Sequence, residues 1–341
     1  MREEHHYSLK RHNTFGIDVS CRRFLEYATT SEARQVASLL DADAPEGRVL
    51  TIGAGSNLLL TGDYGGTVVH SAIRGKTLAM TPHSNAATLC CGSGETWDDV
   101  VAWTVDMGFA DLVNLSLIPG EVGAAAVQNI GAYGDEAAQH IKEIRTIEMA
   151  TGQTVTIDAR ECHYGYRDSR FKHEWKDRYL ITHVVLSLDR DYTPKLEYGN
   201  IRQALQQQGI TDATARQLRD IIIDIRRSKL PEPSETGNAG SFFMNPVVGR
   251  RQYEALQAQY PDMPHYDVDR DSVKIPAGWL IDRCGWKGRS MGRAGVYSKQ
   301  ALVLVNLGGA TGSDIVELCH AVQHDVEQRF GIMLKPEVNI V

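Results

Sequence analysis

A chain of 341 residues is long enough for two or three domains, and 42% hydrophobic with 23% charged residues is ordinary for a soluble globular protein. A formal net charge of −7 argues against bulk electrostatic binding of nucleic acid, and no apolar run approaches the roughly 20 residues that span a bilayer. Six cysteines, at 21, 90, 91, 162, 284 and 319, form no Cys-x-x-Cys pair and no zinc-ligand spacing with histidine. Together with the polar start Met1-Arg-Glu-Glu-His-His6, they predict a cytoplasmic, reduced protein with no metal and no membrane insertion.

Along the chain, Thr29-Thr-Ser-Glu32 has capping-box spacing, and Ala33, Val36, Ala37 and Leu40 follow at helical period. Arg48–Ile52 reads as a strand running into the glycine turn Gly53-Ala-Gly-Ser-Asn57, with further strands at Leu58–Leu60 and Gly66–Val69. A second unit begins near Gly75, with a strand at Ala87–Cys91 whose adjacent cysteines read as buried thiols. A helix capped by Thr96 and Asp99 carries Trp97, Val100, Val101 and Val105 and stops at Gly108. The Gly/Ala stretch 121–134 has weak periodicity and suggests backbone lying close to a flat ligand rather than an ordinary helix. Strands follow at Ile144–Met149, Thr154–Ile157 and Tyr179–Leu188, which fit an antiparallel or mixed sheet. In the last part, Gln252–Gln259 and Ala277–Cys284 read as helices, Ala301–Asn306 as a buried strand and Lys335–Ile340 as a closing strand. Thr311-Gly-Ser-Asp314 opens a helix with Ile315, Leu318, Cys319, Val322, Val326 and Phe330 on one face. His320 and His324 lie on its solvated face and read as surface residues, not ligands.

Chemistry concentrates in three places. The turn at 53–57 fails as a dinucleotide fingerprint, because Leu58 replaces the third glycine and strand, not helix, follows. It reads equally as a plain turn or as a set of backbone N–H donors for a diphosphate. The second glycine-rich run, 119–134, shifts the balance toward a large nucleotide cofactor. The third place is Gly237-Asn-Ala-Gly-Ser-Phe-Phe-Met-Asn-Pro246, with Arg226-Arg-Ser-Lys229 upstream. A hydroxyl, an amide and cations there suit an anionic ligand that is both held and protonated. Phe243 stands where a hydrolase elbow needs glycine, so Ser241 reads as a hydrogen-bond or proton donor rather than a nucleophile. Arg226-Arg227 alone reads as a solvated basic turn.

Several short motifs then occur together and in order: Asn13-Thr-Phe-Gly16, the 53–57 turn, Ile118-Pro-Gly120, Gln128-Asn-Ile-Gly-Ala-Tyr-Gly134 and Gly165-Tyr-Arg-Asp-Ser169. Lys229-Leu-Pro231, the 237–246 segment, Ala277-Gly-Trp-Leu-Ile-Asp282 and Lys335-Pro-Glu-Val338 complete the set. Nearly end to end, the chain resembles the UDP-N-acetylenolpyruvoylglucosamine reductase family, flavoenzymes of bacterial peptidoglycan precursor synthesis. Tyr198-Gly199 resembles the tyrosine loop of its longer, type I subtype. The resemblance implies an α+β fold: an FAD-binding half of the vanillyl-alcohol-oxidase (PCMH) type plus a C-terminal α/β substrate-binding domain. By the same resemblance, residues 1–73 form one FAD-binding subdomain, joined by a last strand near 331–341. Residues 74–225 form the second subdomain, and 226–330 bind substrate.

The implied cofactors are FAD and NADPH. The FAD diphosphate is expected on Gly53, Ala54, Gly55, Ser56 and Asn57, and the ring against Pro119, Gly120, Gly123, Ala124, Gln128, Ile130, Gly131 and Arg167. Ala124-Ala-Ala126 departs from relatives that carry hydroxyls or proline, at a cost of ~1 kcal/mol for each lost contact. NADPH reduces the flavin and leaves; hydride then reaches the methylene carbon of the enol ether, and charge spreads into the carboxylate. Arg167 is implied as the cation facing that carboxylate, Ser241 as the proton donor to carbon, and Glu337 as a third catalytic residue. As a carboxylate, Glu337 helps only if protonated or if it orients a donor. Lys229, Asn245 and Tyr198 are implied substrate ligands, with Tyr133, Tyr166, Arg226 and Gln300 beside them; Asp168 and Arg170 read as an ion-pair network. The expected partners are the UDP-sugar and NADPH, acting on a monomer. The alternatives are an FAD-dependent oxidase or dehydrogenase of the same superfamily and a non-catalytic nucleotide-sugar sensor.

Overall fold

A computed structural model describes residues 1–42 and 48–341. The chain divides into two units, each assembled from separated segments. The first holds Met1–Tyr7, Cys21–Ala54 and Tyr64–Arg226; the second holds Ser8–Ser20, Gly55–Asp63 and Arg227–Val341.

The first unit contains two sheets. In one, the strands run in the order Arg2–Ser8, Ser20–Tyr27, Tyr64–Ser71, Val49–Ile52, and the last three pair in parallel. Ser20–Tyr27 and Val49–Ile52 flank Tyr64–Ser71, and the helix Thr30–Ala42 lies in the connection that carries the chain from one flank to the other. The predicted capping box is present, with Glu32 N–H donating to Thr29 Oγ1 and Ala28 N–H to Glu32 Oε2. Its predicted apolar face, Ala33, Val36, Ala37 and Leu40, is buried with Leu25, Val69, Ile147 and Leu180.

The other sheet is antiparallel, in the order Thr154–Asp158, Ile141–Glu148, Tyr179–Asp189, Ala86–Gly92, Lys76–Met80. Against it pack the helix Trp97–Asp106 and a short helix, Val122–Gln128. That second helix corrects the irregular backbone expected over 121–134. Val122, Gly123, Ala125, Ala126 and Gln128 are all buried, so no polar face marks the period. Thr96 is the N-cap of Trp97–Asp106, but its side chain makes no cap bond; Asp98 instead accepts from Leu117 N–H at 2.5 Å. Cys91 is buried as expected, whereas Cys90 is half-buried beside Arg145.

In the second unit, Gly237–Ser241, Val303–Asn306, Ala294–Val296 and Ser290–Met291 make an antiparallel sheet. The helix Gly312–Phe330 buries the predicted stripe against it, and Thr311 with Asp314, predicted to open it, forms a capping box. His320 and His324 are exposed. Phe15 and Ile17, from the N-terminal segment, and Leu59 join this core. Leu58–Leu59 pairs in parallel with Asn339–Ile340, so only the end of the expected closing strand is regular. No helix among the described residues is long and apolar enough to cross a membrane.

Candidate active site

In the first unit, backbone and small side chains set the site. The helix Val122–Gln128 ends at Asn129, which is left-handed at φ 48° and spends its side chain on its surroundings. Asn129 Nδ2 donates to Gly165 O at 2.7 Å and Glu136 Oε2 at 2.9 Å, and its Oδ1 accepts from Ala138 N–H. Close approach explains the small residues. A Cβ on Gly123 would sit 2.9 Å from Ser93 Cβ, and one on Gly53 3.0 Å from Ala124 Cβ and 3.2 Å from Glu121 Oε2. Gly53 and Ala124, predicted from separate motifs, are thus brought together, with Glu121 against both.

Arg167 is itself left-handed, at φ 57°. Its Nη1 donates to Asn129 O at 3.3 Å and its Nη2 to Gly131 O at 2.5 Å, while the guanidinium lies 5.4 Å over the Tyr166 ring. Arg167, Tyr166 and Gly131 therefore form one group, joined to Gln128 through Lys172, which donates to Gln128 Oε1 at 3.0 Å and to Arg167 O at 2.8 Å. Gln128 Nε2 is buried without a partner. A buried unpaired donor is costly, and an acceptor supplied by a cofactor would satisfy it. With the close-packed glycines, this fits the residues to a flat nucleotide cofactor such as FAD.

A third cluster joins three further predicted residues, Arg226, Tyr133 and Tyr198. Arg226 is not in a basic turn: it lies in the last turns of the helix Ala215–Lys229, which ends at Lys229. Its Nε donates to Leu117 O at 3.2 Å, and it bonds Tyr133. Burial lowers the Arg226 guanidinium from its usual value, against the opposing pull of Tyr133 and Asp98. Burial raises the Tyr133 phenol, and Arg226 counters it. Tyr133-Gly134 and Tyr198-Gly199 clasp each other. A Cβ on Gly134 would lie 2.3 Å from the Tyr198 ring, and one on Gly199 2.3 Å from the Tyr133 ring. Lys195 fastens this clasp, donating to Gly134 O at 3.0 Å and Asp135 Oδ1 at 3.0 Å.

In the second unit, Gly240 at φ 69° marks a register shift at the end of Gly237–Ser241. The chain then turns to pair with residues 335–337: Met244 N–H donates to Lys335 O, Glu337 N–H donates to Phe242 O at 2.8 Å, and Phe243 bridges Pro336. Glu337, 96 positions beyond Ser241 in the chain, thus pairs with Phe242, the residue next to Ser241, while Ser241 itself is in register with Val303. Asn57, from the glycine turn, donates Nδ2–H to Glu337 O at 3.2 Å. Asn245 Oδ1 accepts from Ala277 N–H at the start of the helix Ala277–Arg283, and Gln300 Oε1 accepts from Leu302 N–H. Both amides therefore use their oxygens structurally. Gly55 is left-handed, and a Cβ there would fall 2.0 Å from His12 O, so the turn admits only glycine. Pro119, Gly120, Ala54, Ser56 and Ile130 lie in the same runs as these residues.

Three members of the site escaped sequence reasoning. Lys172 and His70 carry no spacing signal, and Glu121 opens the Gly/Ala stretch 121–134 without being singled out within it.

Fold and site together define an FAD-dependent oxidoreductase of the α+β class. Residues 26–158 match the family described as FAD binding domain, and residues 232–341 match UDP-N-acetylenolpyruvoylglucosamine reductase, C-terminal domain. The chain is 49% identical over 339 residues to the UDP-N-acetylenolpyruvoylglucosamine reductase of Bacteroides fragilis, covering 99% of this chain and 100% of that one. It is 46% identical to the enzyme of the same name from Paraburkholderia xenovorans, covering 97% and 95%. In fold it is similar to the crystal structure of UDP-N-acetylenolpyruvylglucosamine reductase from Thermus caldophilus, at a TM-score of 0.67 and 22% identity over 99% and 98% of the two chains. The chain belongs to the UDP-N-acetylenolpyruvoylglucosamine reductase family.

Proposed function

We propose that this protein reduces the enolpyruvyl ether of UDP-N-acetylglucosamine enolpyruvate to UDP-N-acetylmuramate, with NADPH as reductant, as a cytoplasmic monomer. The observation that supports the residue assignment is the pairing of 242–244 with 335–337, which brings the segment carrying Ser241 to the segment carrying Glu337, whose carbonyl also accepts from Asn57 of the glycine turn. FAD, when bound, supplies a two-electron carrier between NADPH and the methylene carbon of the substrate. Ser241 gives a proton to the adjacent carbon, so that the double bond becomes a single bond with one hydride and one proton added. A hydroxyl is a weak acid, but the carbon it meets is enolate-like and strongly basic, so position is what it must supply.

Arg167 brings a fixed positive charge for the carboxylate into which charge spreads. Its anchoring on Asn129 O and Gly131 O holds the guanidinium without reorganisation, which is where such stabilisation gains its strength. Glu337 orients a donor or acts protonated, since an ionised carboxylate would oppose the developing charge. Lys229, Asn245 and Tyr198 bind the diphosphate and neighbouring groups of the nucleotide sugar, with Tyr133, Tyr166, Arg226 and Gln300 around them. Asn245 and Gln300 would do so through their amide nitrogens.

Ser241→Ala tests the proton donor. Stopped-flow absorbance should show flavin reduction by NADPH unchanged and reoxidation by the enolpyruvyl substrate slowed by about 10²–10⁴-fold. Equal slowing of both half-reactions would assign Ser241 to cofactor placement instead.

A further inference from the structure

His70 lies in the Tyr64–Ser71 strand, in register with Glu26 on one side and with Ile52, the residue before Gly53, on the other. It is 6% exposed. Nδ1 stands 2.9 Å from Glu26 Oε2, and Nε2 stands 3.1 Å from each oxygen of Glu121. A neutral imidazole donates from one nitrogen only. Two ionised carboxylates facing two ring nitrogens are both satisfied only when both nitrogens carry protons, that is, by an imidazolium. Burial opposes that charge, but Glu121 and Glu26 outweigh it and raise the His70 pKa above the usual histidine value. Behind Glu26 stands Arg2, with Nη1 3.8 Å from Glu26 Oε1, while its Nε is held closer by Glu4 Oε1 at 2.6 Å. Ile52, on the remaining neighbouring strand, brings no charge.

Glu121 is the reason this matters. It is 8% exposed, and its Oε2 lies 3.2 Å from where a Cβ of Gly53 would be. An uncompensated carboxylate at the first glycine of a diphosphate-binding turn would repel the ligand. We propose that His70 is a charge-compensating residue for cofactor binding: clamped between Glu26 and Glu121, it cancels the Glu121 charge beside Gly53 and lets the turn accept the FAD diphosphate. This rests on the reading of residues 53–57 as the diphosphate site. Because the His70 pKa is raised on folding, its contribution is complete below the ordinary histidine value and is lost as pH rises through the raised one. FAD retention should fall over the same interval.

The test is release of FAD from the holoenzyme on dilution, read as recovered flavin fluorescence, from about pH 6 to about pH 9. His70→Gln should weaken FAD about tenfold at the acid end, as one buried charge a few ångströms away requires. Glu121→Gln should bind FAD with a flattened pH dependence, and His70→Gln/Glu121→Gln should return to within about threefold of the parent. A double variant as weak as His70→Gln would show a packing role and overturn the proposal, as would unchanged binding in His70→Gln. Ser56→Asp separates the underlying reading, since a carboxylate in the turn should expel a diphosphate. Retention of FAD by Ser56→Asp would move the diphosphate elsewhere and remove the proposal with it. Loss of FAD in Ser56→Asp beside an unaffected His70→Gln would overturn the proposal alone.

Discussion

Gln128 is held at one end only. Lys172 donates to its Oε1 at 3.0 Å, while its Nε2 is buried without a partner. Leaving a buried donor unpaired costs about 1–3 kcal/mol, so the side chain is poised for an acceptor. Gln128→Leu should weaken FAD binding by about 1 kcal/mol while the cofactor-free protein loses no thermal stability; calorimetric titration and a melting curve check the two halves. Loss of stability with unchanged FAD affinity would make Gln128 a packing residue. At this scale the sequence was most legible where a backbone constraint demanded a residue type, as at Gly55 under His12 O. It was silent where an ordinary residue acquires its role from a distant neighbour. Nothing near Lys172 or His70 announces Gln128 or Glu121, because those contacts span 44 and 51 positions.

Elements place these residues, and their fastenings can be cut singly. The Tyr133-Gly134 and Tyr198-Gly199 turns interlock, each ring over the other's glycine. Gly134→Ala would drive a Cβ into the Tyr198 ring at a φ of 79° that alanine resists. It should raise KM for the UDP-sugar several-fold and leave flavin reduction by NADPH unchanged, if Tyr198 binds substrate. The helix Ala215–Lys229, which delivers Arg226, is tied to the start of Trp97–Asp106 by a bidentate pair, Arg219 to Asp98 at 2.7 and 2.8 Å. Burial pushes the Asp98 carboxyl up, but the Arg219 guanidinium and the Leu117 N–H outweigh it and hold its pKa below the usual value. A depressed carboxylate contributes stability above the unfolded value, near ~3.9, and loses it as pH falls through the folded one. Asp98→Asn should therefore lower stability by about 2 kcal/mol at neutral pH and less in acid, measured by urea unfolding at both. A difference that does not shrink in acid would refute the ion-pair account. Amphipathic helices such as Thr30–Ala42 and Gly312–Phe330 were readable from period and caps. The helix Val122–Gln128 was not, because a short run of small and apolar residues leaves no polar face to set a phase.

On the scale of the whole molecule, neither unit is a continuous stretch of chain. Ser8–Ser20 and Gly55–Asp63 cluster with Arg227–Val341, and Phe15, Ile17 and Leu59 bury their side chains in that core. Such assembly leaves no composition shift or linker to read, and the strands Arg2–Ser8 and Ser20–Tyr27 pass unmarked because charged residues interrupt their alternation. Ordered motifs carried the family; pairing across the chain carried the geometry, and only the fold shows that the segment after Ser241 pairs with residues 335–337. Family membership favours the reductase over the oxidase and sensor alternatives. The decisive measurement is anaerobic: the purified flavoprotein is bleached with NADPH, the enolpyruvyl UDP-sugar is added, and visible flavin absorbance is followed. Prompt return of the absorbance, matched by formation of UDP-N-acetylmuramate, is the predicted result. A flavin that stays bleached in the presence of that substrate would contradict the account.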